Sequence, residues 1–264
     1  MDIKEITYNL AHNKYEKPDD IRSDLRKLEK FLVIPSLILA KGNILYRARV
    51  IDSIYDIKNS KSLSYVPSKY NKAYKRASSP SNTMFYGISG NNYFDSIKGC
   101  LLETCDCFRN LNSPHKNYKV AIGLWETKED LNLVQIINVD GYNKSKAFDN
   151  INEFNDILNP LCKDKDDIIN FWRLINNQFT KKVNNQNEYW VSAQFTEWLV
   201  NDLNYMGLIY ESVQSDEPEL LNNHCVALTP YITDSCLDFK EAQYYEFDYC
   251  GKTVQLSCPN KIKI

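Results

Sequence analysis

The sequence lacks the features that mark most nucleic-acid-binding and membrane-spanning proteins. Its 32 basic and 34 acidic side chains give a formal net charge of -2, without the basic excess that binding to a phosphate backbone normally requires. The N-terminal stretch MDIKEITYNLAHNKYEKPDD has no apolar core of a signal peptide, and no later stretch approaches the roughly 18 apolar residues of a membrane span. We therefore expect a cytoplasmic protein without a direct nucleic-acid or membrane partner.

Cysteine is present, but not in a pattern that indicates a metal or a disulfide framework. The eight cysteines include no CxxC motif, and their one close pair is Cys105 and Cys107. The three histidines, His12, His115 and His224, lack the spacing of metal ligands. Because no secretion signal is visible, we expect reduced, mostly buried thiols and no bound metal.

Common catalytic motifs are also missing. The chain contains no GxGxxG, GxxxxGK[ST], HExxH or GxSxG sequence, which disfavours Rossmann-type dinucleotide binding, P-loop hydrolysis, and zincin and serine-hydrolase chemistry. No repeat with a period of about 20 to 50 residues is visible, so solenoid and propeller folds are excluded. An active site must therefore be assembled from residues scattered along the chain.

The composition does indicate a packed globular protein. Hydrophobic residues make up 43% and charged residues 25% of the 264 positions, which suits one large domain or one domain with extensions. Residues 1–41 have helical periodicity, with Asp19 or Asp20 as a cap and Pro35 expected to kink or end the helix. Its apolar positions are Leu25, Leu28, Phe31 and Leu32. We expect a helical N-terminal extension over residues 1–43 and a second unit over 44–264.

The second unit mixes strand and helix patterns. Strands are predicted at NILYRARVI, TMFYGIS, VAIGLWE, LVQIINV, MGLIYESV and HCVALTP, with a terminal hairpin around Cys250 and Gly251. Helices are predicted from Asn92 to about Phe108, around DDIINFWRLINNQF and around SAQFTEWLVNDL, and the polar residues 56–83 are predicted to form a long loop. The fold class that follows is α+β, with a mixed β core flanked by helices.

Several polar and aromatic residues stand out at the ends of these elements. In chain order they are Tyr46 and Arg47 within LYR, Arg76 within KRASSPS, Tyr86 within MFYG, Glu103 within CLLETC, Ser212 within IYES, and Asn222 or Asn223 before HCVAL. At roughly 100° per residue, Glu103 lies about 180° from the helix face that carries Phe94, Ile97 and Leu101. Its carboxylate is therefore expected to face a cleft or solvent.

This ordered set resembles the RES domain family of bacterial toxins, whose fold is related to that of ADP-ribosyltransferases. The resemblance covers roughly residues 44–230, and residues 1–41 have no counterpart in the family. It implies an ADP-ribosyltransferase-like fold in which the catalytic residues are Arg47, Glu103 and Ser212 and the substrate-binding residues are Tyr46, Arg76, Tyr86 and Asn223. The turn that the family usually writes GR-x-N-x-P-G reads KRASSPS here, without its glycines and asparagine.

The same residue types suit cleavage of the bond between nicotinamide and ribose in NAD+. A guanidinium group binds pyrophosphate oxygens at two points, which suits Arg47 and Arg76. Bond breaking develops oxocarbenium character on the ribose, and a carboxylate such as Glu103 stabilises that charge. Tyr46 and Tyr86 can enclose the nicotinamide and exclude water. NAD+ is then a substrate, and no further cofactor is expected.

The resemblance implies a toxin that depletes cellular NAD+ by hydrolysis or phosphorolysis. Two alternatives remain open, a mono-ADP-ribosyltransferase that modifies a protein and a non-catalytic interaction module that keeps the fold. The module predicts that Glu103 and Arg47 do not share a cleft. The resemblance also implies a partner, an antitoxin of the Xre helix-turn-helix type that blocks the cleft. Residues 1–41 could take over part of that control, form a homo-oligomer or pack on the core.

Overall fold

A computed structural model of the chain describes residues 2–80, 82–90, 92–105, 117–139, 158, 164–183, 185–212, 224–250, 253–256 and 260–262. These residues form six α-helices and one mixed sheet, so the fold is α+β, as predicted. The helices are α1 (Ile3–Ala11), α2 (Pro18–Lys27), α3 (Tyr93–Thr104), α4 (Lys165–Thr180), α5 (Trp190–Glu197) and α6 (Pro230–Cys236). The strands are β1 (Ser36–Leu39), β2 (Ile44–Ile51), β3 (Phe85–Ser89), β4 (Asn117–Thr127), β5 (Leu131–Gln135), β6 (Gly207–Glu211), β7 (His224–Leu228), β8 (Leu237–Cys250), β9 (Thr253–Leu256) and β10 (Asn260–Ile262).

The sheet places strands from distant parts of the chain side by side. Its order is β1-β5-β6-β7-β3-β2-β4-β8-β10, and β9 also pairs with β8. β5 and β6 run parallel, whereas the other strand pairs that the structure describes are antiparallel. The six strands predicted from the sequence are β2 to β7, and the predicted hairpin is β8 with β9, in which Cys250 pairs with Thr253.

The two faces of the sheet have separate hydrophobic cores because successive side chains of a strand point to opposite faces. Leu45 of β2 and Ile209 of β6 belong to the core under α6. Their neighbours Tyr46 and Tyr210 belong to the larger core, which also contains Leu101 of α3 and side chains of the other helices. Tyr46 and Tyr210 therefore point to the face that α3 covers. The same alternation puts Arg47 on the side of Leu45, where its guanidinium lies over the ring of Phe85.

The N-terminal helices are part of this larger core. Ile6 and Leu10 of α1 and Ile21 and Leu25 of α2 are buried in it together with Trp172 of α4. Burying an aliphatic side chain of this kind stabilises the fold by about 1.5–3 kcal/mol. The N-terminal helices are thus joined to the rest of the described protein by apolar packing.

The prediction that residues 1–41 are helical is wrong in its C-terminal part. α2 ends at Lys27, and Ser36–Leu39 forms β1, which pairs antiparallel with β5. No helix reaches Pro35, so the expectation that it kinks or ends this helix is also wrong. The SLIL segment after Pro35 finds its hydrogen-bond partners on a strand that comes much later in the chain. The expected caps are also wrong: Lys17 is the N-cap residue of α2, and Asp19 and Asp20 lie in its first turn.

Two further elements differ from the prediction. α3 ends at Thr104 rather than near Phe108, and residues 106–116 lie outside the description. Phe94 was expected on the packed side of α3, but it lies in the first turn of the helix and is 76% exposed. Among the described residues, its one aromatic contact is with Tyr93, at 5.4 Å between the ring centres. α6 was missed, although Thr229 caps it and a proline follows at its first position.

The cysteines and the hydrophobicity of the helices were also the subject of expectations from the sequence. The described cysteines with a defined environment, Cys100, Cys105, Cys225 and Cys236, are buried and not in disulfides, as expected for reduced thiols. Among the helices of the described residues, none is long and apolar enough to cross a bilayer.

Candidate active site

A cavity of about 630 Å³ opens on the sheet face that α3 covers, and its volume lies within the range of about 300–1,000 Å³ that small-molecule sites occupy. Five of the residues singled out in the sequence line it, namely Tyr46, Arg47, Arg76, Tyr86 and Glu103. Ser212 contacts the cavity through a hydrogen bond to Glu103. Asn223 and its neighbour Asn222 lie outside the described residues. Most of the predicted set is therefore brought together.

Arg47 lies where β2 and β3 part. The ladder between these strands contains two residue pairs, the second of which joins Tyr46 to Ile88. Beyond it, Nη1 of Arg47 donates a hydrogen bond to the main-chain carbonyl of Tyr86 at 2.7 Å, and the guanidinium carbon lies 5.3 Å from the centre of the Phe85 ring. Burial lowers the pKa of Arg47 to about 10, so the side chain is still charged at neutral pH.

Arg76 lies in a tight turn at the end of the long loop. The main chains of Lys75 and Ser78 exchange hydrogen bonds of 2.8 and 3.2 Å, which close the turn without the glycines of the family pattern. The guanidinium of Arg76 donates to the carbonyls of Phe179 and Lys181, at 3.3 Å for the latter. These contacts fix the guanidinium against the end of α4.

Tyr86 supports this turn from β3. Its hydroxyl accepts a hydrogen bond from the Ala77 main-chain N–H at 3.0 Å and shares another with the Ser78 hydroxyl at 2.7 Å. Burial raises the pKa of Tyr86 to about 12, so the phenol stays protonated at neutral pH. The ring lines the cavity, while the hydroxyl is committed to holding the turn that carries Arg76.

Glu103 lies in the last turn of α3 and reaches across to the ends of β6 and β7. Its Oε1 atom accepts a hydrogen bond from the Ser212 hydroxyl at 2.5 Å and a weak one from the Cys225 thiol at 3.7 Å. Burial raises the pKa of Cys225, which keeps it a neutral donor. The second oxygen, Oε2, accepts no hydrogen bond within the described residues and Glu103 lines the cavity. The Glu103 carboxylate was expected to face either a cleft or solvent, and in the structure it faces the cleft.

Other lining residues were not found from the sequence. Tyr210 precedes Ser212 by two positions, so the period of the strand could have indicated it. Lys182 and Tyr189 come from the connection between α4 and α5, and the Arg76 guanidinium lies 5.7 Å from the centre of the Tyr189 ring. Their positions depend on how this connection folds back on the Arg76 turn, which no local pattern reveals.

The cavity is positively charged although the whole chain is slightly acidic. Among the lining residues that the structure describes, Arg47, Lys75, Arg76 and Lys182 are cationic and Glu103 is the one anionic side chain. The formal net charge of the chain is -2. This concentration of positive charge favours an anionic ligand, and the single carboxylate can stabilise a cation that develops next to it.

A second glutamate supports the Arg76 turn from behind. Glu197, at the end of α5, is 4% exposed and accepts a hydrogen bond from the Ser79 hydroxyl. Its other oxygen lies 3.7 Å from Nη1 of Arg22 in α2. Arg22 also donates to both oxygens of Asp202 at 2.9 and 2.6 Å. The N-terminal helix α2 is therefore connected to the turn through a buried carboxylate.

The comparisons with known proteins do not assign the chain to a family. No protein-family model matches it, and no curated protein is similar to it. Within the described ranges, no group of three or more His, Cys, Asp or Glu side chains is arranged to hold a metal ion. The resemblance to the RES domain stays a prediction that depends on the residues and their order.

Proposed function

We propose that the cavity binds NAD+ and that the protein cleaves the bond between nicotinamide and ribose. One observation carries this proposal: Glu103, Arg47 and Arg76, which come from three separate segments of the chain, line the same cavity. An enzyme that breaks this bond needs a carboxylate at the ribose and cations at the pyrophosphate, and the three side chains supply both.

Glu103 is the catalytic carboxylate in this proposal. When the bond breaks, its electron pair leaves with the nicotinamide, whose ring becomes neutral, and positive charge develops on the ribose until water or phosphate adds to the anomeric carbon and loses a proton. The Ser212 hydroxyl holds Oε1, so Oε2 is the oxygen that faces the ribose. Because the hydrogen bond is formed before the substrate arrives, little reorganisation is needed in the transition state.

Arg47 and Arg76 hold the pyrophosphate in this proposal. Each already donates to a main-chain carbonyl, which limits the side-chain freedom that would otherwise be lost on binding. Arg47 donates through Nη1, so its Nε and Nη2 groups are available to a phosphate. Tyr46 and Tyr189 add aromatic surface to the cavity for the rings of the dinucleotide.

The alternatives differ in how far the structure supports them. A non-catalytic module predicts that Glu103 and Arg47 do not share a cleft, and both line one cavity, which argues against it. A mono-ADP-ribosyltransferase shares the first chemical step and differs only in the acceptor of the ribosyl cation. An ADP-ribosyltransferase-like fold, an antitoxin partner and a cytoplasmic location belong to the same proposal.

The proposal is tested by incubating the purified protein with NAD+, with and without phosphate, and measuring nicotinamide release. Glu103→Gln should reduce the rate by about 100-fold or more, because the amide cannot stabilise the developing cation. Glu29→Gln is the matched control, since Glu29 is exposed and outside the cavity. No release by the wild type under either condition, or equal rates for the wild type and Glu103→Gln, would contradict the proposal.

A further inference from the structure

Two lysines of the cavity have no assigned role in NAD+ cleavage. Lys75 and Lys182 both line the cavity, and neither ammonium group donates a hydrogen bond or forms an ion pair within the residues that the structure describes. Lys181, the neighbour of Lys182, behaves differently: its Nζ atom donates to Gln178 at 2.6 Å. The cavity therefore holds two cations whose charge is not offset by a described partner.

The main chain attaches one lysine next to Arg76 and the other next to a hydrogen-bond partner of Arg76. Lys75 precedes Arg76 in the tight turn, where its main-chain N–H donates to Ser78 at 2.8 Å. Lys182 follows Lys181, whose carbonyl accepts from the Arg76 guanidinium at 3.3 Å. Both attachment points are fixed by hydrogen bonds, while the lysine side chains remain able to adjust to a ligand.

Both lysine side chains are exposed although they line the cavity. Desolvation and repulsion by the charge of Arg47 lower the pKa of Lys75, so a nearby anion would stabilise the cationic form of Lys75. A ligand with a phosphate group next to Arg76 removes this repulsion. Guanidinium groups match the paired oxygens of a pyrophosphate, whereas two ammonium groups act as point charges and suit a phosphate monoester, which carries about two negative charges at neutral pH.

We propose that Lys75 and Lys182 form a second anion subsite that takes a phosphate monoester on the substrate, so that the protein prefers a 2′-phosphorylated dinucleotide, NADP+, to NAD+. The assignment depends on the proposed function, because Arg47 and Arg76 are taken to hold the pyrophosphate. It adds a specificity determinant that is separate from Glu103 and Ser212, which contact each other through side chains of α3 and the end of β6.

Binding of reaction products tests the subsite without requiring catalysis. Calorimetry should show that ADP-ribose 2′-phosphate binds about 10-fold more tightly than ADP-ribose, as expected for an added charge-assisted contact. The double variant Lys75→Ala/Lys182→Ala should abolish this preference. The matched control is Lys69→Ala/Lys72→Ala, which removes two exposed lysines of the same loop that do not line the cavity and should leave the preference intact.

The outcomes separate this subsite from the proposed function. If neither NAD+ nor NADP+ releases nicotinamide but the binding preference is present and depends on the two lysines, the proposed reaction is wrong and the subsite stands. If NAD+ is cleaved but both product ligands bind equally, the subsite is wrong and the reaction stands. If inorganic phosphate binds in a manner that depends on the two lysines while both product ligands bind equally, the subsite takes free phosphate and its assignment to the substrate is overturned.

Discussion

Two glutamates near the cavity have similar contacts and very different surroundings. Glu103 and Glu197 each accept a hydrogen bond from a serine hydroxyl, Ser212 in one case and Ser79 in the other. Glu197 is 4% exposed and lies 3.7 Å from the Arg22 guanidinium, so its charge is enclosed and offset. Glu103 is half-buried, lines the cavity and forms no ion pair within the described residues.

The comparison shows that the surroundings of a glutamate determine whether it mainly stabilises the fold or is free to interact with a substrate. A buried carboxylate with a cation and a hydroxyl donor stabilises the turn that it contacts, and removing it leaves its partners unsatisfied. A carboxylate that opens on a cationic cavity contributes less to folding and can interact with charge that develops on a substrate. We therefore expect Glu197 to act as a structural residue and Glu103 as the catalytic one, and three experiments test this division.

The largest effect is expected at the buried carboxylate. Glu197→Ala should lower the free energy of unfolding by about 2 kcal/mol, because it leaves the buried Ser79 hydroxyl without its acceptor and removes the carboxylate next to the partly buried Arg22 guanidinium. Urea denaturation followed by circular dichroism measures the change. A loss below about 0.5 kcal/mol would show that Glu197 is not structural.

Glu103 is expected to behave in the opposite way, with a small effect on stability and a large effect on activity. Glu103→Gln should change the free energy of unfolding by less than about 1 kcal/mol, because the amide oxygen can still accept from Ser212. The same variant should lose nicotinamide release, as described for the proposed function. A variant that unfolds as readily as Glu197→Ala would remove the distinction between the two glutamates.

The two serines provide a finer comparison. Ser212→Ala should reduce the rate of nicotinamide release by about 10-fold, since Oε1 of Glu103 loses the hydroxyl that orients it. Ser79→Ala should lower the free energy of unfolding by about 1 kcal/mol, because the buried Glu197 loses a donor. Steady-state rates and urea denaturation of both variants give the result, and equal effects of both substitutions on the rate would contradict the division.

The smallest effect is expected in the pH dependence of thermal stability. Hydrogen bonds from Arg22 and Arg26 hold the pKa of Asp202 well below its ordinary value of 3.8. A carboxylate with a lowered folded-state pKa contributes stability that is present above the unfolded value and is lost as the pH falls through the folded one. The difference in Tm between the wild type and Asp202→Asn should therefore be present at pH 7 and shrink below about pH 4. A difference that stays constant down to acid pH would show that the ion pair does not couple folding to protonation.

The sequence allowed much of the local structure to be predicted. NILYRARVI alternates and is rich in strand-forming residues, and MGLIYESV was also predicted as a strand; they form β2 and β6 in the structure. The segment SLIL was misassigned because a short apolar run fits a helix or a strand equally well, and its pairing with β5 decided the outcome. Phe94 was misplaced because a helical wheel does not say where the packed part of a helix begins.

By itself, the sequence determined most of the strands and helices and which polar side chains lie at their ends, because these properties depend mainly on neighbours within a few residues. The tertiary structure decided which side chains share a cavity. The fold of the connection between α4 and α5 brings Lys182 and Tyr189 into the cavity beside Arg76. The packing of α2 against α5 brings Arg22 within 3.7 Å of Glu197, which is distant in sequence. The two glutamates differ because of these long-range contacts, since burial and charge pairing depend on residues that are distant in sequence.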